Sequence, residues 1–272
     1  SEDPSTVGPL SQSYEVYIRE QAGEVSLVAN TSSSLYYPCE LIGSTIECVI
    51  PITPFYKNYP LPNGIAPDQV SEIIGDSWYG LCLRTSDGEM FCTGKNEYGQ
   101  LGDGTYNDSE DWVSPIFPSG RSVVDISSNY AHYISCAVLD DGSVWCWGAG
   151  NTYHGSLGPR HSDALQPVLL APSSINAVAV ESLATGGGCV LSENGSVSCW
   201  GQHTWRYYDP QRDPTRHDLV QLPNLTSANP AVQIGVGQTH ACALLESGDV
   251  TCWGGDMVGA PLLAGQGWCE PN

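Results

Sequence analysis

The sequence is short of positive charge, of methionine and phenylalanine, and of long apolar runs. Nine lysines and arginines stand against 30 aspartates and glutamates, a formal charge of −21, and only Lys57 and Lys95 are lysines. Nucleic acids and anionic membrane surfaces are bound through a basic footprint, so both are excluded as partners. No stretch approaches the roughly eighteen consecutive apolar residues of a membrane span, and no membrane insertion is expected. No segment sustains a helical period, so helical bundles and solenoids are set aside. Charged residues make up only 14% of the chain, which leaves Ser, Thr, Asn, Gln and Asp to solvate the surface. No charged-then-apolar leader opens the chain, as expected of a mature form.

What the chain does hold is 30 glycines, 19 prolines and 11 cysteines. Ten of the cysteines fall into pairs. "CAVLDDGSVWCWG" brackets a three-residue loop, Asp140-Asp141-Gly142, between Cys136 and Cys146. If these two face each other, Leu139 lies opposite Ser143, and Gly142 occupies the left-handed place that ends such a loop. The same spacing recurs between Cys82 and Cys92, between Cys189 and Cys199, and between Cys242 and Cys252. Gly88, Gly195 and Gly248 stand third in the corresponding loops. Cys39 and Cys48 are one residue closer and suit a two-residue Gly43-Ser44 turn. Both spacings set the sulfurs face to face across a hairpin, where a disulfide is sterically allowed. Free buried thiols are one alternative and a metal site the other. The pairs are too far apart in sequence for zinc knuckles, and no metal or other cofactor is expected. Cys269 is left over, a candidate for an intermolecular bridge.

Disulfide usage on this scale points to an oxidising compartment, hence a secreted, extracellular protein. Sequons at Asn30, Asn107, Asn194 and Asn224 are candidate glycosylation sites consistent with that setting.

The first cysteines of the five pairs are spaced by 43, 54, 53 and 53 residues. Before each lies a β-branched run: 24–29, 70–75, 122–127, 176–181 and 231–236. After the pair comes a polar loop and a Pro-led segment, as at 114–118, 166–171 and 220–223. Four short strands per unit, repeated at this period, predict an all-β fold. The architecture expected is a β-propeller of about five four-stranded blades, each with an intra-hairpin disulfide. The whole chain, 1–272, is read as a single β-propeller domain. Residues 14–29 read as a hairpin around Gln21-Ala22-Gly23. Its first strand, about 14–20, is a candidate to close the ring.

"GLCLRTSDGEMFCTGKNEYGQLGDGT" (80–105) and "THACALLESGDVTCWG" (239–254) resemble the regulator of chromosome condensation repeat. More specifically they resemble its secreted, cysteine-bearing variety, and the likeness covers roughly residues 24 to 256. It fades in the first copy, which lacks Trp-Gly after Cys48. The resemblance implies a propeller, often of seven blades, whereas five copies are clear here. The family's best-known role, exchange on a nuclear GTPase, is not expected of an acidic chain with disulfides. A plant ultraviolet-B photoreceptor of this fold uses clustered tryptophans. Here Trp147, Trp200 and Trp253, each just after the second cysteine, read as packing between blades.

No catalytic motif is present, so the protein is not expected to be an enzyme. The acidic stretch 103–111 lacks the ligand order of a calcium loop. His240 reads as a structural hydrogen bonder. The strongest binding composition lies in 202–218, with Trp205, Arg206, Tyr207, Tyr208, Arg212 and Arg216. The loop of the first copy, "PFYKNYPLP" (54–62), adds Phe55 and Tyr56. The expected function is a non-catalytic extracellular module that binds protein or glycan, in or beside a cell-surface or matrix assembly. A secreted enzyme inhibitor is one alternative. A propeller glycoside hydrolase is the other, disfavoured because Glu24, Glu72, Asp125 and Glu181 lie at or near the ends of the inner runs.

Overall fold

The computed structural model describes residues 20–21, 24–25, 39–49, 56–76, 80–129, 133–150, 157, 163–183, 186–201, 219–237, 240–255 and 261–262. A two-residue ribbon, β1 (Glu20–Gln21) and β2 (Glu24–Val25), precedes five antiparallel sheets. The first sheet holds β3 (Cys39–Ile42), β4 (Thr45–Val49) and β5 (Tyr56–Pro60). The second holds β6 (Val70–Asp76), β7 (Gly80–Thr85), β8 (Met90–Gly94) and β9 (Ser109–Val113). The third is β10 (Val123–Asn129), β11 (Ile134–Leu139), β12 (Val144–Gly148) and β13 (Ala164–Ala171). The fourth is β14 (Ala177–Ser182), β15 (Gly188–Ser192), β16 (Val197–Trp200) and β17 (Val220–Gln221). The fifth is β18 (Ala231–Val236), β19 (His240–Leu245), β20 (Val250–Gly255) and β21 (Pro261–Leu262).

Every sheet is an up-and-down meander in chain order, and successive sheets touch through their first strands, β6 to β10 to β14 to β18. That is the radial arrangement of propeller blades, with the first strands innermost. The hydrophobic core accordingly lies between sheets. One cluster joins the first two sheets, a second fills the junctions among the second, third and fourth, and a third joins the fourth to the fifth.

All five expected cysteine pairs are disulfides. Cys39 bonds to Cys48, Cys82 to Cys92, Cys136 to Cys146, Cys189 to Cys199, and Cys242 to Cys252. Each bridge crosses directly opposed residues with Cα atoms 4.0–4.1 Å apart. This is the separation of a non-hydrogen-bonded antiparallel pair. The chain-entropy estimate puts the stabilisation at about 3 kcal/mol for each such loop. Gly142 ends the third sheet's hairpin at φ +76°, and its carbonyl accepts from Ala177 N–H at the start of the fourth sheet. Gly88 accepts likewise from Val123, and Gly195 from Ala231. Each of these three hairpin tips therefore docks on the sheet that follows.

Three expectations are corrected. The N-terminal ribbon pairs Glu20 with Val25 and Gln21 with Glu24, so Gln21 belongs to a strand and not to the loop. The stretch 54–62 is not a loop: Tyr56–Pro60 is the outer strand of the first sheet, paired with Thr45–Val49. The fourth strand of the second unit is Ser109–Val113 rather than 114–118. Pro115 and Pro118 have no N–H for a ladder, and Ile116 N–H bonds instead to Gly102 C=O. The first sheet shows three strands among the described residues, and most of the run 24–29 expected to open it lies outside them. Residues 14–19 lie outside the described residues.

Candidate functional site: a flank groove and an axial cavity

The described chain has two concavities of note. The larger, about 950 Å³, lies on the flank where β5 of the first sheet faces β8 and β9 of the second. Its construction follows from the alternation of a strand. On β5, Lys57 and Tyr59 share a face, and the Lys57 ammonium stands 4.7 Å from the centre of the Tyr59 ring. The opposite wall is closed by Trp112 of β9, whose indole N–H donates to Pro60 C=O at 2.7 Å. This bond spans the sheet boundary and fixes the width of the groove. Lys95 pairs with Asp108 at 2.6 Å, and Asp108 also accepts from Asn96 N–H. The partnership raises the Lys95 pKa and lowers that of Asp108, in both cases chiefly through their hydrogen bond. Glu110 and Asp111 complete the wall with exposed carboxylates. The groove thus offers aromatic surface beside charges of both signs.

The smaller cavity, about 200 Å³, lies where the innermost strands converge, and Glu72, Asp125 and Glu181 line it together with Ala179, Gln233 and Ile234. The first strands of the second to fifth sheets each carry a bulge after their first residue, seen as skipped register between Val70 and Glu72, Val123 and Asp125, Ala177 and Ala179, and Ala231 and Gln233. A bulge re-aims the next side chain, and here that residue turns toward the neighbouring sheet. Asp125 accepts Val180 N–H from the fourth sheet at 2.8 Å, and Glu72 accepts the backbone N–H of Ile126 in the third. The next register adds Ser182 N–H donating to Ser127 Oγ at 2.9 Å. Arg84 reaches Glu72 at 3.2 Å. Burial raises the Glu72 pKa despite that cation, and burial, with Glu72 adding to it, pushes Asp125 up to about 7.

The remaining site expectations divide by place. Trp205, Arg206, Tyr207, Tyr208, Arg212, Arg216, Phe55, Asn30 and Cys269 lie outside the described residues. Tyr56 opens β5, opposite Val49. Asn107, Asn194 and Asn224 are exposed, and Asn194 accepts Ser196 N–H in a tight side-chain turn. Among the described residues no group of three His, Cys, Asp or Glu is placed to hold a metal ion, and no helix is long and apolar enough to cross a membrane. Trp147, Trp200 and Trp253, which follow Cys146, Cys199 and Cys252, are buried, and Trp147 donates its indole N–H to Gln100 C=O of the preceding unit. Sequence reasoning missed the axial cavity, because spacing does not show which residues of separate sheets meet at the axis.

Five radial meanders, each closed by its own disulfide, define the class: an RCC1-like β-propeller. The chain carries regulator of chromosome condensation (RCC1) repeats, matched at residues 87–136, 123–154 and 231–256. It is 29% identical over 197 residues to the human E3 ubiquitin-protein ligase HERC2, covering 70% of this chain and 4% of the ligase. It is 30% identical over 184 residues to the bovine secretion-regulating guanine nucleotide exchange factor, covering 65% of this chain and 38% of the relative. The chain therefore spans well under half of either. Human WBSCR16 shares the fold at a TM-score of 0.62 and 19% identity, over 80% of this chain and 59% of that one. Prp20p of Saccharomyces cerevisiae shares it at 0.57 and 14%, over 84% and 60%.

Proposed function

We propose that this protein is a non-catalytic extracellular interaction module that engages a protein or glycan partner through its flank, as part of a cell-surface or matrix assembly. One propeller domain over 1–272, with the segment near 14–20 closing the ring, would be the scaffold. The observation that carries the reading is the flank groove, an open aromatic and charged concavity on a frame braced by five disulfides. Aromatic rings with charged neighbours are the composition of contact hot spots. The RCC1 repeats point the same way, since Prp20p, which shares the fold, is described by its binding to Gsp1p and histones. The five disulfides are compatible with an oxidising, extracellular setting. A non-catalytic role is supported by the axial carboxylates, because Glu72 is committed to Arg84 and Ile126 and Asp125 to Val180.

The test is binding of the purified, oxidised protein to a glycan array and to intact cell surfaces, with Lys57→Glu and Trp112→Ala beside the wild type. Each substitution is expected to weaken binding by about tenfold or more, the size of a single hot-spot contact. Equal binding by all three proteins would remove the groove from the account.

A further inference from the structure

We propose that the junction of the second, third and fourth sheets is a proton-operated clasp, closed when the carboxyl of Asp125 is neutral and strained when it is ionised. The geometry comes first. Asp125 sits after the bulge of β10, lines the axial cavity, and is tied to the fourth sheet by Val180 N–H at 2.8 Å. Among the described residues the groups that face it are few. Glu72 comes from β6, Arg84 from β7 and Glu181 from β14, while β11, β15 and β18 carry no titratable side chain apart from their bridged cysteines. The cation among them is already engaged, with Arg84 Nε on Glu72 at 3.2 Å. An ionised Asp125 is therefore a partly buried charge facing a carboxylate of its own sign, with no cation of its own among the described residues.

Neutral Asp125 removes that repulsion and the cost of burying a charge; these outweigh the preference of the Val180 N–H bond for the ionised form, and the neutral carbonyl oxygen still accepts that bond. The sign of the effect follows from linkage. Asp125 titrates near 7 in the folded protein against an ordinary 3.8, so the folded state holds the proton more tightly than the unfolded chain. This contribution favours folding at acidic pH. It is lost progressively as pH rises from about 4 to 7, and it is gone above that.

The experiment compares the full, oxidised wild type with Asp125→Asn. Folding equilibria are measured by urea unfolding at pH 5 and pH 8, and exchange of the Ile126 and Val180 amides is corrected for its intrinsic pH dependence. Between the two pH values the wild type is expected to lose about a hundredfold more of its folding constant than the variant. Protection at Val180 should fall with pH in the wild type alone. Equal losses in both proteins overturn the clasp. Where Asp125→Asn does not fold, Glu72→Gln serves instead: it removes the facing charge, so the wild-type loss must shrink, and an unchanged loss overturns the proposal as surely.

Discussion

At Gly142 and Gly248 the same turn position meets different surroundings. Both have positive φ, +76° and +89°. A Cβ at Gly142 would come within 2.8 Å of the Asn176 Cα, whereas one at Gly248 would meet nothing within 4 Å. Gly248→Ala should cost only the left-handed penalty, about 1 kcal/mol. Gly142→Ala adds a backbone clash with the next sheet and should cost clearly more, on the order of 2–3 kcal/mol. Chemical denaturation of the two variants under one condition measures the difference. The need for glycine was legible in the sequence at both places. The unequal cost was not, because it depends on whether another sheet follows close against the turn. The carboxylates tell the same story: Glu72 and Asp125 each look like a polar residue near a strand end until the bulge turns them toward the axis.

For whole elements, the cysteine hairpins were the most legible, because a facing pair, a loop of fixed length and its glycine all specify one register. Cys82 with Cys92, Cys189 with Cys199 and Cys242 with Cys252 all meet at the register their spacing dictates. Elements without such an internal check were placed less well. The outer strands hang on a few ladder bonds, two paired residues in the case of β9 and β17, so proline and local loop bonds decide where they start. The stretch 54–62 was read as a loop by analogy with 202–218, yet Tyr56–Pro60 pairs with β4 over five residues. These differences set an expectation for the bridges. Replacing Cys136 and Cys146 together by alanine should cost about 3 kcal/mol, the value of a closed loop of this size. The third sheet lies in the largest core cluster, so the double variant should stay folded, with a lowered thermal midpoint and four disulfides by non-reducing mass analysis.

Taken whole, the molecule is acidic, repetitive and joined sheet to sheet; its repeat period made the propeller readable without coordinates, and its motifs made the likeness to RCC1 repeats readable. Its contact surface was not readable in the same way. The groove takes one wall from the first unit and one from the second, with residues such as Pro60 and Trp112 that lie 52 positions apart. Full reduction should therefore act on the whole assembly. With about five loops opened at once, the protein should lose most of its thermal resistance in one step, seen as a large fall in midpoint by circular dichroism under dithiothreitol.

The docking of hairpin tips also fixes an order of construction. In each case the acceptor carbonyl belongs to the earlier turn and the donor amide to the later strand: Gly88 for Val123, Gly142 for Ala177, Gly195 for Ala231. A ribosome releases them in that same order. At these three junctions the newly emerging strand thus meets a template already in place, and this part of the chain can lay itself down vectorially, like courses of brick.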